Sequence, residues 1–474
     1  MKINKERLLT NLHRLREFTD TPGNGVTRFS YGKQDARARA YLLRRAAAAG
    51  CTISIDPLQN IRIGLAGNRP GRKTVLAGSH IDTVRNGGWL DGIYGVCGAL
   101  EVLETLAENA ESTGHPEDTK NAGTCGQSET SASCNYEMVI FAEEEGSNFG
   151  STMTGSKFAT GLYTEKDLDR LRRDDGQTLR QVLQHLAAGA DTGTTEADPK
   201  GNLITAEGKA NVAEDAVSSG ASGSDTLKIY STDPVTTQHL PWTFDNIKTM
   251  LELHIEQGPV LDREGLSLGI VDAIFGMRVI EATLTGVGNH AGATPMTERY
   301  DALCAAAECI LKAERLVKSD PDQRTVVTAG KLELWPNCSN VIPESVKFTL
   351  EIRDKDDEKI NDFMDRIILC IQETAQTRGV NCQIREHSSS QPLQLSDRLI
   401  RSMKERAEKQ QLACKVMDSG AVHDACMVAP FADTGMIFVP SIGGRSHVPE
   451  EDTRKQDLIA GVQFLLDTVL EELK

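Results

Sequence analysis

Residues 78–92 read GSHIDTVRNGGWLDG, and the organisation of the chain turns on how this stretch is read. The apolar run Thr74–Ala77 leads straight into Gly78-Ser79-His80-Ile81-Asp82. A strand ending in His-x-Asp carries both polar side chains on one face, because successive strand residues point to opposite sides. His80 can then offer an imidazole nitrogen to a metal ion, with Asp82 behind it as an orienting carboxylate. Asn86-Gly87-Gly88 is turn chemistry. Asp91-Gly92 follows, and then an apolar, small-residue stretch, Ile93–Leu106, that reads as a helix. One sharp loop at a strand end thus joins His80 to Asp91. Alone, the pattern fits equally a strand-end histidine beside a turn aspartate; the metal reading gains weight from matching pieces further along.

The chain has 474 residues, enough for two or three domains. With 39% hydrophobic and 25% charged residues it is an ordinary globular composition. A formal charge of −16 without a basic run argues against nucleic acid or an anionic membrane as partner. The first 18 residues place Leu8, Leu12 and Leu15 on one side of an amphipathic helix, without the uninterrupted apolar core of a signal peptide. No apolar run reaches transmembrane length. The eleven cysteines include no C-x-x-C pair and read as reduced thiols, with the cytosol as the expected compartment.

In chain order, Gln34–Ala49 reads as a helix and Ile53–Leu65 as paired strands entering the opening stretch. Residues 109–134 are Gly/Ser/Thr-rich with almost no large apolar side chain, as are residues 190–237, and both are expected to be polar insertions. Between them, Glu137–Ala142 is a short apolar strand running into Glu143-Glu144-Glu145-Gly146, and Lys166–Ala188 reads as helical. Phe244–Leu253 leads into His254-Ile255-Glu256-Gln257-Gly258. From about 276 the order becomes strand (Arg278–Gly286), helix (Thr297–Ser319), strand (Thr325–Leu334), strand (Ser345–Arg353), helix (Asp357–Arg378), strand (Val380–Glu386). That is the split βαβ order of a ferredoxin-like domain. Strand-helix alternation then resumes and ends in Ser446-His447-Val448-Pro449-Glu450 and a closing helix. The expected fold is α/β: a catalytic domain in two parts, residues 1–275 and 389–474, with a small domain, residues 276–388, inserted between them.

His80, Asp91, one or two of Glu143–Glu145, His254 and His447 each follow an apolar strand or a glycine turn. Imidazoles and carboxylates without thiolate suit zinc, or manganese, cobalt or nickel. Five such groups exceed what one tetrahedral ion with an open position needs and would serve two ions with one carboxylate bridging. Tandem glutamates let one bind metal while its neighbour takes a proton from the attacking water and passes it to the leaving group. His290 and the pair His423-Asp424, taken singly, read as structural.

In these motifs the chain resembles the hydantoinase/carbamoylase family of binuclear metal amidases, in the metallopeptidase clan that also holds aminoacylases and carboxypeptidase-G-type enzymes. The stretches that carry the resemblance are GSHIDTVRNGGWLDG, EEEGSNFGSTMTGSK, LHIEQGPVLD, NHAGATPM, NVIP, HDA and SHVPEE, spread over residues 78–453. The resemblance implies two divalent ions per subunit held by His80, Asp91 (bridging), Glu145, His254 and His447. Glu144 would be the general base and His290 the donor to the developing oxyanion, contributed in such dimers by the partner subunit. Asn340 and Arg353 would hold a substrate carboxylate, with Gln257 lining the pocket; a planar guanidinium meets a carboxylate bidentately. The sequence departs from the family pattern at Arg85, where proline is usual, at Val422, where glycine is usual, and at Glu351-Ile352, where an aspartate is common in place of the glutamate.

The expected activity is hydrolysis of the ureido C–N bond of an N-carbamoyl amino acid or a related ureido acid, by a homodimer. The rivals are an exopeptidase or aminoacylase of the same clan and, in another class, a metal-binding scaffold without turnover. A scaffold has no need of Glu144.

Overall fold

The computed structural model describes residues 1–113, 133–188, 229–230 and 242–474. Helices α1 (Lys5–Arg16) and α2 (Lys33–Ala48) precede the hairpin β1 (Thr52–Ile55) and β2 (Ile61–Gly64), then β3 (Thr74–His80), α3 (Ile93–Thr113) and β4 (Asn135–Phe141). Short helices α4 (Thr154–Ala159), α5 (Glu165–Arg170) and α6 (Leu179–Ala187) lead to β5 (Ile247–Ile255), α7 (Val260–Glu264) and β6 (Leu268–Ile274). Next come β7 (Gly276–Thr285), α8 (Ala302–Lys318), β8 (Val326–Thr328), β9 (Leu332–Trp335), β10 (Ser345–Asp354), α9 (Asp357–Arg378) and β11 (Asn381–Ser390). The chain closes with β12 (Leu393–Gln394), α10 (Asp397–Lys409), β13 (Cys414–Ser419), α11 (Ala425–Val428), β14 (Asp433–Val439) and α12 (Lys455–Glu472).

Two compact units result: residues 1–271, 395–417 and 423–474 form the first, and residues 272–394 with 418–422 the second. The first is built on a mixed sheet in the order β1-β2-β4-β3-β5-β14-β6. Its centre is parallel: β3 pairs with β4 and β5, and β5 with β14. Central parallel strands are covered on both faces and read as continuous apolar runs, and all seven residues of β3 are buried. The four parallel strands end at one edge, with His80 in register with Phe141 and His254 with Phe438. Open α/β sheets place their sites at that edge.

The second unit is an antiparallel sheet, β11-β7-β10-β8, with β9 also on β10. Strand β10 alternates strictly between half-buried and buried residues. Its inward set, Val346, Phe348, Leu350 and Ile352, packs with α8 and α9 in one apolar core. Helix α9 has the expected ends: Asp356 caps Glu358 and Lys359, and Gly379 closes it at φ 65°.

Some elements differ from expectation. The helix expected over 166–188 is two short ones, because Gly176 turns the chain at φ 86° and Thr178 and Gln181 form a capping box that starts α6 afresh. The strand expected over 325–334 is broken into β8 and β9 around Ala329-Gly330. Helix α3 continues to Thr113, into the first residues of the expected 109–134 insertion, and residues 114–132 lie outside the described part of the chain. So does the 190–237 insertion, apart from residues 229–230. Strand β6 was not anticipated.

Helix α2 carries a fully buried ion pair. Arg39 Nε is 2.8 Å from Asp35 Oδ2, with both side chains 0% exposed, and Arg39 Nη1 donates to the Gln59 carbonyl. Asp35 also accepts the Tyr31 N–H. Asp35→Ala would strand a buried guanidinium and should cost about 3–5 kcal/mol in urea denaturation, whereas replacing both partners by apolar residues of similar volume should cost less.

Candidate metal centre

His80 closes β3, and its Nδ1 lies 3.0 Å from the Asp82 carbonyl oxygen, which leaves Nε2 pointing to the site. His254 is fixed the same way, Nδ1 against the Ile255 carbonyl at 2.9 Å. The Asp91 carboxylate stands between three imidazoles. Its Oδ1 is 3.6 Å from His80 Nε2 and 3.3 Å from His254 Nε2, and its Oδ2 is 3.2 Å from His447 Nε2. Glu145 Oε1 lies 3.5 Å from His447 Nε2. Two triads with convergent ligand atoms therefore share one carboxylate: His80, Asp91, His254, and Asp91, Glu145, His447.

Asp82 does something other than simply back His80. Its two carboxylate oxygens accept the N–H groups of Glu144 (3.2 Å) and Glu145 (3.1 Å), so it clamps the loop after β4. The His80 ring sits 3.8 Å from the same carboxylate. The three glutamates separate in consequence. Glu143, at φ 55°, turns away, accepting the N–H groups of Asn148 and Phe149 and the Asn148 side-chain amide. Glu144 points to the site, with Oε2 3.8 Å from His80 Nε2. The side chain of Gln257 donates to Asp91 Oδ2 at 2.7 Å. Glu256 instead caps α7 through the N–H groups of Val260 and Leu261.

Three contributors were not read from sequence. Arg28, fully buried, donates to the Ile81 carbonyl between His80 and Asp82, and to Leu15 and Phe18 at the end of α1. Glu252, two residues before His254, accepts from Ser79 Oγ and from the Ala425 N–H. Glu451 accepts the N–H groups of Leu90 and Asp91. The -x- spacing to His254 and the doubled glutamate of SHVPEE were the available signals. Close approach explains two glycines: a Cβ on Gly88 would fall 1.9 Å from the Glu451 carboxylate, and one on Gly92, at φ 65°, would be 2.4 Å from the His80 ring. Arg85, the departure from proline, lays its guanidinium over Phe29.

His290, Asn340 and Arg353 belong to the second unit. The N–H groups of Gly292 and Ala293 both donate to His290 Nδ1 at 3.1 Å. Nδ1 is thereby an acceptor, and the ring proton lies on Nε2, an exposed donor. Ala291 N–H donates to the Asn340 carbonyl. Arg353 is engaged by Glu351 at 2.6 Å and by the Gly420 carbonyl.

Peptidase family M20/M25/M40 matches this sequence over residues 127–471. The chain is 33% identical over 465 residues to an N-carbamoyl-L-amino-acid amidohydrolase of Paenarthrobacter aurescens, covering 98% of this chain and 97% of that one. The chain belongs to the hydantoinase/carbamoylase branch of that peptidase family. Allantoate amidohydrolase of Escherichia coli (strain K12) is 32% identical over 456 residues, 95% of this chain and 94% of its own. The crystal structure of an amidase of the hydantoinase/carbamoylase family from Burkholderia multivorans superposes with a TM-score of 0.76 at 28% identity, over 99% of this chain and 98% of that one.

This family is metal-dependent, and the donor set here fits a divalent ion. Glu145 Oε1 and Gln257 Oε1 are buried without a hydrogen-bond partner at the mouth of the second triad. The crowding of carboxylates around the imidazoles favours their protonated forms. The hydrogen bond to Asp91, outweighing burial, raises His447 to about 9. Burial opposes protonation of His80, yet Glu144, Asp91 and Asp82 overbalance it and hold its pKa well above the ordinary value. Burial, with Asp91 adding, lifts Glu145 to about 7. A raised imidazole pKa means that a proton must leave before metal enters. Metal affinity should therefore climb from pH 6 and flatten near pH 9, with protons released on uptake, as measured by calorimetric titration in buffers of different ionisation heat.

Proposed function

We propose that this chain hydrolyses the ureido C–N bond of an N-carbamoyl amino acid or a related ureido acid such as allantoate or N-carbamoyl-β-alanine. The observation that carries this reading is the division of labour around Asp91: two triads share its carboxylate, while Glu144 stands beside them within neither. His80, Asp91 and His254 would hold one divalent ion, and Asp91, Glu145 and His447 a second, with zinc favoured by the ligand types and manganese, cobalt or nickel compatible. When bound, such ions supply Lewis acidity and lower the pKa of water at the site.

Glu144 is the proton carrier. Burial, opposed by His80 and reinforced by Asp424 and Glu145, raises its pKa well above the ordinary carboxylate value. With divalent ions alongside to favour its ionised form, Glu144 takes the proton of the attacking water and returns it to the departing nitrogen. His290, its proton held on Nε2, donates to the oxygen that gains charge in the tetrahedral state. Asn340 and Arg353 hold the substrate carboxylate, and Gln257 keeps Asp91 oriented while facing the pocket. With an N-carbamoyl amino acid, one water yields amino acid, carbon dioxide and ammonia.

The functional molecule is a homodimer formed through the small domain, residues 276–388, which acts as lid and dimerisation domain. Trp335 (65% exposed), Leu369 (56%) and Leu311 (48%) leave apolar surface on that unit, and β9 pairs with β10 among the described strands. None of the ten described cysteines is in a disulfide, in keeping with a reducing cytosol. No helix among the described residues is long and apolar enough to cross a membrane.

Turnover of the metal-reconstituted protein on a panel of N-carbamoyl amino acids, N-carbamoyl-β-alanine, allantoate and dipeptides tests the reading. Activity confined to dipeptides or N-acyl amino acids would move the chain to the exopeptidase or aminoacylase side of its family. Glu144→Gln should retain metal and lose about a hundredfold or more in turnover. If Glu145→Gln behaves that way and Glu144→Gln loses metal, the two roles are exchanged. Arg353→Lys keeps the charge but not the fork, and should raise KM for the ureido acid about tenfold with kcat little changed.

A further inference from the structure

The two triads are braced differently. His80 and His254 lie within strands β3 and β5, and each has its Nδ1 against a main-chain carbonyl of its own segment. His447 has no such frame: it follows β14 by eight residues in a loop, sits at φ 60°, and is 46% exposed. What ties that loop down is Glu451, itself 2% exposed. Its Oε1 accepts the N–H groups of Leu90 (2.9 Å) and Asp91 (3.1 Å). Its Oε2 faces Ser446 Oγ at 2.9 Å and the His447 N–H at 3.4 Å. Ser446 Oγ also lies 3.0 Å from Asp91 Oδ2, the oxygen that faces His447. One side chain thus joins the backbone of the shared carboxylate to the loop of the C-terminal imidazole, segments about 360 residues apart.

We propose that Glu451 is a positioning residue that sets the affinity of the Asp91–Glu145–His447 ion position separately from that of the His80–Asp91–His254 position. The inference rests on the two-ion reading above. Without Glu451, the Leu90 and Asp91 amides lose their acceptor and the 446–447 loop loses its anchor, so the distance between Asp91 Oδ2 and His447 is no longer held. Oδ1 keeps its two strand-borne histidines. Groups that orient metal ligands in this way are worth about 10- to 100-fold in affinity.

The test is calorimetric titration of the metal-stripped full-length chain with Co²⁺, followed in parallel by the cobalt absorption spectrum. The wild-type chain should take up two equivalents; a single equivalent would overturn the two-ion reading itself, and the proposal with it. Glu451→Ala should weaken one equivalent about tenfold or more, lose the corresponding part of the cobalt spectrum, and leave the other equivalent within about twofold. Equal weakening of both, or of neither, overturns the proposal, since a merely structural role lowers the melting temperature without separating the two affinities. Ser446→Ala leaves the Leu90, Asp91 and His447 amides on Glu451 and removes only the hydroxyl between Asp91 and Glu451. It should weaken the same equivalent by a smaller factor, and it decides the matter if Glu451→Ala does not fold; wild-type affinities for both ions in Ser446→Ala would then count against the proposal.

Discussion

The site depends on a single carboxylate being pulled in two directions at once. Asp91 faces His80 and His254 with one oxygen and His447 with the other, at 3.2–3.6 Å, and is 3% exposed. A buried carboxylate in that position is tolerable only because cationic or metal partners surround it. Burial by itself would raise its pKa, but His254, His447 and His80 carry it well below the ordinary value. Every other feature of the edge can be understood as keeping those imidazoles where that carboxylate needs them. The β3 and β5 ends deliver two, Arg28 pins the carbonyl after His80, and the loop after β14 brings the third.

Some of the backbone strain falls in the same place. Glu143, Gln257 and His447 are non-glycine residues in the left-handed region, at φ 55°, 59° and 60°. Each such residue costs on the order of 1–3 kcal/mol and persists where its surroundings over-determine it. Here the surroundings are identifiable: Asn148 and Phe149 hold the Glu143 carboxylate, Ser441 Oγ accepts the Gln257 N–H, and Glu451 holds the His447 loop. Glu143 is the clearest case, since its turn is what lets its two neighbours address different tasks.

Much of this was legible in the residues. The convergence of His80, Asp91, His254, His447 and one of Glu143–Glu145 could be expected because each follows an apolar run or a glycine turn and parallel strands end together, whereas the choice of Glu145 among the three came only from the family resemblance. What the sequence hid were contacts made by buried polar groups with the backbone. Asp82 was read as a partner for His80, and nothing in HID says that its oxygens reach the amides of Glu144 and Glu145. Arg28, Glu252 and Glu451 lie in stretches where a charged residue ordinarily means solvent, and their roles appear only once the chain is folded around them. The merged helix over 166–188 failed for a local reason, a glycine turn and a new cap inside what reads as one amphipathic pattern.

The order in which the first unit is assembled along the chain has a consequence for its synthesis. Strand β14 is parallel to β5 across a separation that contains the whole of the second unit, and α12, the last helix, packs on β5 and on α3. Pairings of such long sequence separation form late. A chain still emerging from the ribosome can complete the core of the second unit while the sheet that precedes it lacks β14. It carries His80, Asp91, Glu145 and His254 but not His447. At that stage two of the three imidazoles around Asp91 are present, and the third arrives only with the residues that follow β14.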